Sequence, residues 1–262
     1  MTRLDEVLID LAAESAQLDG WVSSLDAAGW ATVTTPEGWT VAHQIGHLHW
    51  TDDASLTAIT DPAAFAELLE AAAADATTDL VDRAAADLAR QPHEQLLTAW
   101  RDGRAELDRA LRSAEGKIPW FGPPMSATSM ATARFMETWA HGHDVAEALG
   151  IEVRPTERVR HVCHLGVRTF GFAHAVRGEP IPDAAVRVEL RGPDGSVWTW
   201  GDEHAENRVT GQAWDFALLG TRRRHRDDVD VHAEGPVADH WLDIVQTFAG
   251  PPGTDPIRLA DR

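Results

Sequence analysis

Leucine and valine recur every three or four residues at the start of the chain. Leu4, Leu8, Leu11, Leu18, Val22 and Leu25 line one stripe over 3–28, which predicts an amphipathic helix. Pro36, Glu37 and Gly38 interrupt it, and Thr40 is suited to N-cap a second helix through about Ala58. Pro62 opens an alanine-rich helical stretch to about 75. The pattern then resumes from about Thr78 to Arg112, with an interruption at Pro92. Three prolines and a glycine in residues 119–124 predict a loop. A long helix over 126–149 stops at Gly150, and another fits 156–177, ending at Gly178. The period then shortens. Val186, Val188 and Leu190 alternate with charged residues, Gly192-Pro193-Asp194-Gly195 makes a turn, and 196–200 returns as the second strand of a hairpin. A short helix is expected over 209–219, a strand over 229–233 and a closing helix over 236–248. The pattern gives a helical domain over 1–180 and a small α/β domain over 181–262.

Composition narrows the function classes. The 262 residues carry 44% hydrophobic and 25% charged side chains, the balance of an ordinary globular protein. Asp plus Glu outnumber Lys plus Arg by 42 to 23, for a net charge of −19. Such a chain is a poor partner for nucleic acid or an anionic membrane surface. No run of about 18 apolar residues is present, and the opening MTRLDEVLIDLAAES has acids where a signal peptide needs a basic end. A cytoplasmic location is the expectation. With Cys163 as its single cysteine the chain forms no internal disulfide and no multi-cysteine zinc site. Lys117 is the only lysine, tyrosine is absent and alanine abundant, a bias typical of high-GC bacterial coding.

Thirteen histidines are many for this length, and two placements stand out. In the helix over 126–149, positions 130, 133, 137, 141, 144/145 and 148 share a face. Met130, Ala133, Val145 and Ala148 make it apolar, yet Glu137 and His141 sit in its middle, one turn apart. An unpaired carboxylate there would cost several kcal/mol. A divalent metal resolves this, pairing the charge and using the imidazole lone pair. In the second helix His43 and His47 are also four apart, with Trp50 continuing their stripe. One of them can supply a third ligand across a bundle. Two histidines and one carboxylate leave coordination positions open, as catalytic sites do. His49, His143, His161, His164 and His174 read as surface or satisfied packing histidines. Trp198 and Trp200 read as packing residues. The run 222–226 (RRRHR) reads either as a solvated basic turn or as an anion clamp.

Residues 38–50 (GWTVAHQIGHLHW) and 134–150 (RFMETWAHGHDVAEALG) together resemble the mycothiol-dependent maleylpyruvate isomerase family, within the wider DinB-like group of metal-binding four-helix bundles. Residues 209–253 look like an actinobacterial branch whose members are named only as metal-binding proteins. The resemblance implies an N-terminal DinB-like four-helix bundle and a C-terminal domain similar to sterol-carrier folds. It implies zinc held by His47, Glu137 and His141. Asp144 follows as a residue that orients an imidazole or a bound molecule, and His43 as a residue that stands behind the ligands or faces the substrate. Arg223 or Arg224 is the implied active-site arginine. The implied chemistry uses mycothiol as an external thiol. Its thiolate adds to the activated double bond of an electrophilic or unsaturated acid, the new single bond rotates, and loss of the thiol leaves the other geometric isomer. Stopping after addition gives an S-transferase. A non-catalytic metal-binding protein and a zinc hydrolase acting through hydroxide are the alternatives. Cys163, on an apolar helical face, is expected to be inert packing.

Overall fold

In the computed structural model, which describes residues 1–74 and 80–261, the first part of the chain forms α1 (Arg3–Val22), α2 (Ala27–Trp30), α3 (Val41–Thr60), α4 (Pro62–Ala74), α5 (Leu80–Ala89), α6 (His93–Ser113) and α7 (Ala127–Ala148). Local chemistry sets the ends. Asp5 N donates to Thr2 Oγ1 at 3.2 Å while Thr2 N donates to Asp5 Oδ2 at 2.8 Å, a capping box that starts α1. Ser126 caps α7 by accepting from Ser129 N at 3.2 Å. The stripe expected over 3–28 is divided: α1 stops at Val22, and Asp26 caps the short α2 through Gly29 N at 2.8 Å. The expected break at Pro92 is the start of α6. The expected start at Thr78 lies outside the described residues.

The four long helices α1, α3, α6 and α7 form a bundle in which α1 packs on α7 and α3 packs on both α6 and α7. Asp19 of α1 binds Arg101 Nε at 2.8 Å and Arg104 Nη2 at 2.5 Å, joining α1 to α6. The hydrogen bond from Arg101 and then that from Arg104 hold the Asp19 carboxyl below its ordinary value. The apolar interior falls into two clusters. One contains Leu18, Val41, Ile45, Leu48, Trp100 and Val145, and the other Leu8, Ala54, Phe65, Leu107 and Met130. Between them along α3 and α7 runs a polar layer. Within it Arg134 Nε donates to Asp52 Oδ1 at 2.9 Å and Arg134 Nη2 to Thr51 Oγ1 at 2.5 Å. The Arg134 and Asp52 side chains are only 2% and 8% exposed.

Arg154–Arg262 forms the second unit, Met1–Val153 being the first. The second unit contains α8 (Arg160–Arg168), α9 (Phe170–Ala175), β1 (Val186–Arg191), β2 (Val197–Trp200), β3 (Asn207–Gln212), α10 (Ala213–Gly220), β4 (Val231–Glu234) and α11 (Pro236–Ile244). The residues expected to end the helical domain, up to 180, thus fold with the sheet: α8 packs on α10 and α9 on α11. The helix expected over 156–177 is broken at Thr169, whose hydroxyl donates to Leu165 O at 3.0 Å and to Gln246 O at 2.6 Å.

The four strands lie in the order β2-β1-β3-β4, with β1 and β3 parallel at the centre and antiparallel partners outside. The hairpin β1–β2 matches the sequence expectation. The helix expected over 209–219 does not: residues to Gln212 are strand, and the helix begins at Ala213. Asn207 and Val209 are buried and alternate with half-buried neighbours, a two-residue period too short to register beside the helical run that follows. Gly211, at φ +151°, is required here because a Cβ would collide with the Asp230 carbonyl of the chain leading into β4. Among the described residues no helix is long and apolar enough to cross a membrane.

The buried pair carries the first prediction. Asp52→Ala leaves Arg134 charged and unpaired in the interior, so urea unfolding should show a loss of about 3–5 kcal/mol. A loss below about 1 kcal/mol, the value of an exposed pair, would contradict this assignment.

Candidate metal centre

The polar layer ends in three side chains that converge. His47 on α3 sends Nε2 to within 3.3 Å of Glu137 Oε2 on α7, and His141, one turn further along α7, sends its Nε2 to 3.2 Å from the same oxygen. The two imidazole centroids are 4.4 Å apart. One donor atom from each of the three residues lies within 4.8 Å of the others, so the set could hold a metal ion. His47 is buried, and the Glu137 side chain retains 19% of its exposure. Burial alone would raise the Glu137 carboxyl. Hydrogen bonds from His141 and His47 outweigh it and hold the group well below the usual carboxylate range.

A buried amide fixes one ring. His141 Nδ1 lies 2.5 Å from Gln44 Oε1, and Gln44 is fully buried. The amide orientation is set from behind: Gln44 Nε2 donates to Thr34 Oγ1 at 2.9 Å, and that hydroxyl donates to Trp39 O at 3.1 Å. Gln44 therefore accepts from His141 Nδ1–H, so Nε2 is the nitrogen that faces the Glu137 carboxylate, where it either carries a proton and donates to that oxygen or offers its lone pair to a cation held between them. Two electron-rich atoms at 3.2 Å need a proton or a cation between them. Among the described residues the buried His47 Nδ1 has no hydrogen-bond partner. Half-buried Trp39 stacks on His141 at 5.9 Å and 16°, lies 5.5 Å from the His47 ring, and is anchored by Nε1 to Asp82 Oδ1 at 2.9 Å.

Of the other residues singled out in the sequence, Asp144 is buried with Oδ2 3.7 Å from His141 Nδ1, a longer approach than that of Gln44. His43 stands beside the triad and serves the start of α3, where Thr40 N donates to its Nδ1 at 3.3 Å. Burial, and then Arg90, lower the His43 pKa below the ordinary imidazole value. Arg223 and Arg224 lie in the second unit after α10. Arg223 Nη1 donates to Thr221 O at 2.6 Å and Arg224 Nη1 to Arg223 O at 2.9 Å. In the same run Arg226 pairs with Asp239 and Asp243 at 2.5 and 2.6 Å. Gln44 and Trp39 were missed by sequence reasoning. Gln44 lies one turn before His47, an amide among Val41, Ile45 and Leu48, and that position was the available signal. A cleft of about 540 Å³ elsewhere in the bundle, lined by Leu11, Ser15, Asp52, Arg101 and Arg104 among others, includes none of the three converging residues.

Comparison with known proteins shows the family of the chain. Residues 182–234 match a family model described as wyosine base formation. Uncharacterized proteins from the Oshkosh and H37Rv strains of Mycobacterium tuberculosis are 54% identical over 247 residues, covering 93% of this chain and 95% of theirs. Crystal structures of the mycothiol-dependent maleylpyruvate isomerase and of a histidine-to-alanine mutant of it share the fold. Each has a TM-score of 0.59 at 16% identity over 89% of this chain and 95% of the other. Residues 11–146, just over half the chain and spanning all three converging side chains, match the model of the mycothiol maleylpyruvate isomerase N-terminal domain, and the chain belongs to that family.

Proposed function

We propose that this chain is a metal-dependent enzyme that uses an external thiol, mycothiol, to isomerise or S-conjugate an electrophilic, unsaturated acid. The observation that carries the reading is the convergence of His47 Nε2 and His141 Nε2 on one oxygen of Glu137, inside the segment that matches the family. The donor set of two imidazole nitrogens and one carboxylate oxygen fits a divalent ion such as zinc, with positions left over for small molecules. Such an ion, when bound, lowers the pKa of a thiol or water held on it, so that the anion is available near neutral pH.

The chain's own residues prepare that place. Gln44 holds His141 in the tautomer whose Nε2 is free to donate its lone pair. The Arg134–Asp52 pair ties α3 to α7 about a turn away, which fixes His47 opposite Glu137. Trp39 covers one face of the rings and keeps water from it. Asp144 adds negative charge behind His141. His43, one turn before His47 on α3 and with Nδ1 engaged by Thr40, is the histidine whose Nε2 faces a bound molecule in this reading. For Arg223 and Arg224 the reading is that one of them holds a carboxylate, a task suited to the planar guanidinium. Arg223→Ala or Arg224→Ala should then lower kcat/KM while metal content is unchanged.

The thiol comes from outside the chain. Cys163 is fully buried, its Sγ donates to Ala213 O at 3.2 Å, and burial pushes its pKa far up, so no thiolate forms there.

Two experiments follow. Elemental analysis of purified protein should find metal that His47→Ala removes, and Gln44→Leu should weaken metal affinity about 10–100-fold with the fold intact. Unchanged metal content in His47→Ala would sink the ligand set. In the second, metal-loaded protein freed of small thiols is incubated with a cis-unsaturated keto acid, and the products are separated by chromatography. Turnover should require added mycothiol and survive Cys163→Ser. Full turnover without thiol would replace this reading with hydrolytic chemistry, and metal binding without turnover on any electrophilic acid would replace it with a non-catalytic role.

A further inference from the structure

The second unit holds another pair of imidazoles with a carboxylate, and one of its members is unexplained by packing. His174 in α9 is 1% exposed. Its Nδ1 lies 2.9 Å from Phe170 O, so Nδ1–H donates to that carbonyl and Nε2 is the nitrogen whose lone pair can serve a cation. Among the described residues that Nε2 is buried and has no hydrogen-bond partner. Expected from the sequence to be a surface or satisfied packing histidine, His174 is buried, and half of its ring is not satisfied.

The backbone returns a carboxylate to it. The chain turns at Gly178, φ +71°, and both Arg177 N and Glu179 N donate to His174 O at 3.0 Å. His240 of α11 then meets Glu179, with Nε2 2.6 Å from Oε2, and its ring stands 5.8 Å from that of His174 at 66°. One donor atom from each of His174, Glu179 and His240 lies within 4.8 Å of the others.

We infer that His174, Glu179 and His240 form a second site for a divalent cation of the zinc class, fastening the turn after α9 to α11. An exposed Glu179–His240 pair by itself would be unremarkable in energy, and it leaves the buried lone pair of His174 unused. A cation uses all three groups. The engagement of the other ring nitrogen by a backbone carbonyl is the arrangement that metal-binding histidines adopt, because it sets both tautomer and ring direction. The Glu179 and His240 side chains are 34% and 50% exposed, so an ion enters from solvent and both side chains have room to rotate onto it. Arg177 is turned elsewhere, donating to Ala173 O at 3.0 Å and Gln246 Oε1 at 3.5 Å. This site shares no residue with the His47–Glu137–His141 triad and does not depend on its function.

The test is zinc binding by the full-length chain, with zinc ion alone as the probe, read by calorimetry and by elemental analysis after desalting. His240→Ala should lose one equivalent relative to the parent, whether the parent is the native sequence or the His47→Ala, Glu137→Ala variant. Glu179→Gln and His174→Gln should weaken the same equivalent at least tenfold. Both His240 and Glu179 are surface side chains, so these variants fold, with circular dichroism as the check. Undiminished stoichiometry in His240→Ala overturns the proposal. So does binding that His240→Ala removes but His174→Gln leaves intact, since that behaviour belongs to a surface histidine acting without the buried ring.

Discussion

Buried charge between α3 and α7 is the constraint on which the bundle's chemistry depends. Arg134 and Asp52 are both nearly inaccessible, and neither is tolerable there without the other. Their pairing fixes how far α3 slides along α7. That register in turn decides whether His47 faces Glu137 or misses it by a turn. The clusters on either side, around Leu48 and Val145 at one end and Ala54 and Met130 at the other, supply the driving force without specifying the alignment. Apolar packing alone would accept neighbouring registers at small cost, whereas the ion pair and the hydrogen bond to Thr51 accept one.

The same layer prepares the donors. A carboxylate buried between two imidazoles is unfavourable unless something positive sits among them, and Gln44 sharpens the requirement by occupying the Nδ1 proton of His141. The path from Trp39 O through Thr34 and Gln44 to His141 links the loop before α3 to a ring on α7. Trp39 takes part twice, its carbonyl ending that path and its indole covering the rings. The structure therefore invests a loop, two helices and a buried amide in the direction of one lone pair.

Much of this was legible in the sequence. Glu137 and His141 announced themselves as a polar pair on an apolar stripe, and the spacing of four on α7 is what places both toward His47. The hairpin β1–β2 was equally plain from alternation and its Gly-Pro-Asp-Gly turn. What was not legible depends on partners distant in the chain. Gln44 looks like any helical glutamine until Thr34 and His141 are brought to it. β3 lies between two strands that only the fold supplies, and its six residues run straight into α10, so the local pattern followed the longer helix. The boundary expected near 180 failed for a similar reason: α8 and α9 have a helical period, and only contacts with α10 and α11 reveal which unit they serve. His174 was passed over because a lone histidine on a helix gives no sign that one of its nitrogens is left without a partner.

The most direct measurement of the central claim is nitrogen NMR of the histidine side chains in cadmium-loaded protein. Cadmium couplings are expected at Nε2 of both His47 and His141, with Nδ1 of His141 still protonated against Gln44. Couplings at Nδ1 of His141, or at His43 in place of His47, would contradict that claim.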